Sequence, residues 1–199
     1  MNKAIEEQSC CHFFESLMHH PSTHPILASL HTKDMQTTLL LFLIWYSTND
    51  FGRIRKRDIQ TLRSASESWH NNVVKALSRL ANTVDTQQFD DGIIQEAQNL
   101  NQFAIKAEMQ MLEKTLQLTK KATRSIEQKL NDCCHNIAKY LVCINTQFDH
   151  ALERKIQTIL HACFPQPLHD RLEEQLRKTM QQSNVKIPSV QQQLSLHDL

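Results

Sequence analysis

Two glycines and five prolines in 199 residues leave this chain little with which to punctuate a fold. Glycine supplies the left-handed conformations of tight turns, and proline fixes turn entries. With so few of either, a many-stranded sheet and a Gly-rich phosphate loop are both out of reach. Long helices joined by a handful of polar loops are the expected architecture. The apolar residues recur at helical spacing, which points the same way.

The run Leu39-Leu40-Leu41-Phe42-Leu43-Ile44-Trp45 is apolar all the way round. A helix with no polar face must be surrounded by protein, and a membrane span needs about 20 such residues. The reading is a fully buried central helix over about 34–47, with Gly52 ending the unit. Before it, helices are expected over about 3–19 and around Pro25. After it, Asp58 starts a helix carrying Ile59 and Leu62. A second start at Ser66-Glu67-Ser68 opens another, along which Trp69, Val73, Leu77, Leu80 and Val84 recur at helical spacing.

Two longer patterns follow. Ile93, Ala97, Leu100, Ala104, Ala107, Met111 and Leu118 alternate by fours and threes, and so do Leu130, Cys134, Ile137, Leu141, Ile144, Phe148 and Ala151, continuing to Cys163. That alternation makes a seam for coiled-coil-like packing. Two long antiparallel helices turning near 119–125 are expected, with one bent helix as the alternative. The class is all-α: a helical bundle over 1–164, a C-terminal helix over 165–182 and a flexible tail over 183–199.

Charge narrows the function. There are 22 basic and 21 acidic residues, a net of +1, without the basic excess of a nucleic-acid-gripping surface. The cysteines (10, 11, 133, 134, 143 and 163) lack the spacing of a disulfide framework, and the first eleven residues lack an apolar signal core. A reduced, cytoplasmic setting is expected, with any membrane association running through a partner.

Several constellations could carry chemistry. Cys10-Cys11-His12 and Cys133-Cys134-His135 duplicate one another, with His161 and Cys163 as further donors. Adjacent helical residues point about 100° apart, so neither pair chelates alone. Buried structural cysteines are the plainer reading, and no metal or cofactor is expected. Most of the eleven histidines, His70 among them, sit in polar stretches and read as surface residues. No G-x-S-x-G, H-E-x-x-H or Gly-flanked cysteine occurs, so an enzyme is not expected. Arg53, Arg55, Lys56 and Arg57 form the one basic cluster, suited to phosphates or an acidic protein segment. Phe13, Phe14, Trp45 and Trp69 read as core at this spacing. Ile187, Val190 and Leu194 would line one face of a short helix on the tail, a docking element of the helix-in-groove kind. A disordered tail with incidental apolar residues is the alternative.

Over roughly 12–142 the chain resembles a proteobacterial family of small helical proteins of unknown function. The LLLFLIW block after Asp34, the Gly52-Arg53 turn and Trp69 in WHNNVVKALSRLAN carry the resemblance. So do Lys106, Glu108 and Glu113 on the long helix and Asn136-Ile137-Ala138-Lys139-Tyr140-Leu141. Thr38 stands where that family tends to have Asn, and 145–199 lies outside its pattern. The resemblance implies a helical fold and a bacterial cytosolic setting, and no activity. In size and in its Gln, His and Asn content the chain is also similar to small LvgA-like adaptors of a type IV secretion coupling complex. A non-catalytic, adaptor or chaperone-like protein-interaction module binding helical segments is the leading expectation. A nucleic-acid-associated regulator using 53–57 is the alternative, and a Cys/His metal or redox sensor a third.

Overall fold

The computed structural model describes residues 9–30, 35–87, 89–116, 118 and 122–188. Among these the chain is an all-α bundle with no strand beyond one isolated bridge, Gln147 to Lys186. The helices are α1 (Cys10–Met18), α2 (His24–Ser29), α3 (Thr37–Thr48), α4 (Lys56–Trp69), α5 (Lys75–Thr86), α6 (Asp91–Thr115), α7 (Ile126–Cys143), α8 (His150–Cys163) and α9 (His169–Gln182).

Every residue of α3 except Tyr46 is buried. The helix packs on α1, α6 and α7, and so lies between the two longest helices rather than beside them. Asp34 is outside the described residues. The observed N-cap is Gln36, whose N–H donates to the Tyr140 hydroxyl at 2.7 Å while that hydroxyl reaches the Gln36 carbonyl at 3.1 Å. A buried tyrosine from α7 thus satisfies the helix start that no local side chain caps. At the other end Asp50 and Gly52 take positive φ, 66° and 76°. The Arg124 guanidinium lies 2.9 Å from where a Gly52 Cβ would stand. Asn136 of α7 holds the same turn, accepting from Ile54 N–H and donating to Ser47 Oγ and the Gly52 carbonyl, each at 2.9 Å.

Two boundaries differ from the periodic reading. Ser66 starts no helix: its hydroxyl donates back to the Leu62 carbonyl at 3.1 Å, and α4 runs on through a π turn, His70–Val74, into α5. The pattern from Leu130 to Cys163 is not one helix either. It breaks between Cys143 and His150, where Asn145 takes φ 54°, and Asp149 recaps the chain at Leu152 N–H, 2.7 Å away. Ile144 and Phe148 stay buried without being helical, which is why their spacing concealed the break.

Helix α9 buries Leu172, Leu176 and Met180 against α7 and α8, within the main core. The chain then turns at Asn184 (φ 55°), buries Val185 and accepts a 2.7 Å hydrogen bond from Phe148 N–H at the Lys186 carbonyl. The first residues of the 183–199 segment are therefore fastened to the body.

Candidate functional site

The helices α5 and α6 form an antiparallel hairpin fixed by a short set of contacts. Ser78 Oγ donates to Asn101 Oδ1 at 2.9 Å, and Trp69 Nε1, half-buried, donates to the Ala104 carbonyl at 3.0 Å. Ala81 and Val84 pack on Ala97, with Ile94 alongside, as a small cluster separate from the main core. These contacts fix the phase of both helices and so define two flanks.

One flank, toward α1, α2 and α3, borders a cavity of about 170 Å³. Its floor includes Phe14, Leu27 and Leu41, and Asn82, Asp85 and Gln102 stand at its rim. The other flank carries Leu80, Ile93, Leu100 and Phe103, which are 46, 50, 44 and 69 % exposed. Each lies about one residue step, or roughly 100°, round from an inward-facing neighbour, since Leu80 precedes Ala81 and Phe103 precedes Ala104. The periodic reading placed Ile93 and Leu100 in a packing seam; the structure leaves both of them, and Leu80, exposed. The inner positions are filled by Ser78, Ala81, Val84, Ala97 and Asn101, with Ile94 alongside, so the helices meet without them.

Beneath the hairpin's base lies a buried ionisable pair. His70 Nδ1 is 3.1 Å from Glu108 Oε2, with the side chains 1 and 0 % exposed. His70 Nε2 and Glu108 Oε1 are buried without a hydrogen-bond partner. His70 is thus a core residue and not a surface histidine. It opens the π turn, and such turns are frequent at functional sites. Sequence gave no signal for it, because a one-residue phase shift is invisible in a polar stretch.

The remaining candidates are placed as follows. Arg53, Arg55, Lys56 and Arg57 are exposed, but three of the four have acidic neighbours. Arg53 Nε lies 3.1 Å from Asp132, Arg55 Nε 2.7 Å from Asp58, and Arg57 Nε 3.6 Å from Asp58. Asp132, 4 % exposed, is also bridged by Arg124. The Arg55–Asp58 pair was legible as an i,i+3 spacing, whereas Asp132 was not. Ile187 is 45 % exposed, and Val190 and Leu194 lie outside the described residues.

Cys10, Cys133 and Cys134 are all core residues, and Cys10 Sγ donates to Glu113 Oε2 at 3.2 Å. Burial pushes the Cys134 and Cys163 thiols up to about 12 and Cys133 well above its usual range. Thiols so raised stay protonated near neutrality, and the thiolate is the reactive form. Among the described residues no group of three His, Cys, Asp or Glu side chains is placed to share a metal ion, and no helix is long and apolar enough to cross a membrane.

No protein-family model matches the chain, and neither the curated proteins nor the solved structures provide a match.

Proposed function

We propose that this protein is a non-catalytic interaction module, an adaptor or chaperone-like subunit, which docks other protein through the outer flank of the α5–α6 hairpin. One observation carries the reading: Leu80, Ile93, Leu100 and Phe103, four large apolar side chains, are exposed along that flank. Exposed apolar side chains scattered singly are ordinary, but a contiguous set on one face marks an interaction site. A groove between two helices suits an amphipathic helical partner, which would seat apolar anchors at i, i+3, i+4 and i+7. The engagement of Arg53, Arg55 and Arg57 with carboxylates supports a protein partner over a nucleic-acid backbone. The assembly we put it in, by resemblance in size and composition, is a bacterial secretion coupling complex reached from the cytoplasm.

Site-specific photo-crosslinking in the native host tests this. A crosslinker at Leu100 should give discrete adducts with other proteins that one at Lys155, on α8, does not. Equal adducts from both positions, or none from Leu100, would remove the flank as the docking site.

A further inference from the structure

We infer that the face formed by the start of α4 and the adjoining side of α7 binds an acidic segment of another protein. This face lies on other helices than the α5–α6 flank, so binding here and docking there succeed or fail separately.

Cations and carboxylates on this face do not balance. Asp58 serves both Arg55 and Arg57, and Asp132 serves both Arg53 and Arg124. Each carboxylate therefore cancels one of its two arginines. Lys56 and Arg63 add two more charges, with no carboxylate in ion-pair reach among the described residues. Six cations against two carboxylates leave this face four positive in a chain whose total is +1, so everything else sums to three negative.

The cations also stand where a helix does not favour them. Arg55 is the N-cap of α4 and makes no capping bond, and Lys56 and Arg57 open the first turn, in which Asp58 is the one acid. Positive charge at the positive end of a helix dipole costs stability. No ion pair inside the fold offsets that cost for Lys56. A local cost without an internal return points to a role outside the fold.

Geometry gathers the charge. Lys56 and Arg63 are two turns apart on one side of α4, which packs on α7. Lys139 of α7 reaches over to the Ile54 carbonyl at 2.7 Å. Cys143, half-buried, lies one turn further along the same side of α7. Burial raises its thiol, while Lys56, Arg63 and Lys139 draw it down. His135, one turn before Lys139, is held below its ordinary value by burial and then by Arg53 and Lys139. Both groups thus feel positive charge from α7 itself and from the chain opposite. Glu67, a turn past Arg63, closes the patch at that end.

The same features choose the occupant. A long polyanion such as a nucleic-acid strand would run off this patch onto surface that is negative on balance, whereas a short acidic segment matches its extent. Val142, 38 % exposed beside Cys143, offers an apolar contact that a peptide side chain can use and a phosphate backbone cannot.

The test is fluorescence anisotropy of the full chain with a fluorescein-labelled peptide built of Glu-Glu-Leu repeats. Binding should be on the order of 10 μM at low salt and at least about tenfold weaker at physiological salt. Lys56→Glu and Arg63→Glu should each weaken it at least about fivefold. A glutamate at the first helical position suits the dipole, so Lys56→Glu should melt no lower than wild type. Lys178→Glu makes the same charge change on α9 and should leave affinity within about twofold of wild type. Bound peptide should slow alkylation of Cys143 and leave Cys11, on α1, unchanged. No binding at low salt, equal weakening by Lys178→Glu, or an unprotected Cys143 each overturns the inference. So does a single-stranded oligonucleotide that binds more tightly than the peptide, which would give the face to nucleic acid.

Discussion

The α3–α7 centre and the α5–α6 hairpin are both helix pairs, yet they distribute their side chains in opposite ways. In the centre, leucines, Phe42 and Ile44 point inward from every side of α3, and the turn that ends the helix is held by buried hydrogen bonds. Asn136 alone satisfies three partners there. In the hairpin, Ser78, Asn101 and a small cluster of Ala81, Val84, Ala97 and Ile94 occupy the contact, while Leu80, Ile93, Leu100 and Phe103 are exposed. A helix pair can close on small residues, but it gains little apolar burial by doing so. The centre therefore buries most of the apolar area, and the hairpin leaves part of its own exposed.

Four substitutions break or sharpen that contrast. Leu41→Ala, in the centre, should cost about 3–5 kcal/mol in urea unfolding, through lost transfer energy and a residual cavity. A cost below about 1 kcal/mol would mean that α3 collapses around the gap and is not tightly packed. Asn136→Ala should cost about 2–3 kcal/mol, because it leaves the Ile54 N–H and the Gly52 carbonyl unpaired in a buried turn. The companion change in the hairpin, Ser78→Ala, should cost only about 0.5–1 kcal/mol, its hydrogen bond being partly accessible to water. Amide hydrogen exchange should show that loss in α5 and α6 while α3 and α7 keep their protection. Phe103→Ser, on the flank, should change stability by less than about 0.5 kcal/mol in urea unfolding. A larger loss would show that Phe103 supports the hairpin itself.

Much of this architecture was legible from the chain. Scarce glycine and fourfold-threefold apolar spacing announced helices, and a seven-residue run without a polar face announced its own burial. The breaks were harder to see. Ile144 and Phe148 keep helical spacing through a segment that is not helical, because burial follows the position of a side chain and not its backbone conformation. Asn145 was the local cue, an asparagine able to take positive φ. Ser66 looked like a helix start because a serine cap and a serine bonding back to the i−4 carbonyl are the same residue in two settings. The candidate site was legible as a list of apolar residues and illegible as a surface. Leu80, Ile93 and Leu100 were visible as a periodic set, but whether such a set faces in or out depends on what fills the adjacent positions. Here Ser78 and Asn101 pair with each other across the contact, a match between two helices that neither sequence segment displays alone.

The π turn at His70–Val74 adds one residue to a rod that would otherwise run from Lys56 to Thr86 in a single phase. An α-helix advances about 100° per residue, so whatever follows such an insertion is turned by that angle relative to whatever precedes it. The turn acts as a coupling between two shafts. Ile59 and Leu62 stay engaged with the core on one side of it, and Leu80 is exposed on the other. In lineages of this chain, a single-codon deletion between 70 and 74 would change which residues of α5 meet solvent without altering any of them. The outward position of Leu80 is thus set by a length, and substitutions elsewhere on α5 act within a frame that length has already fixed.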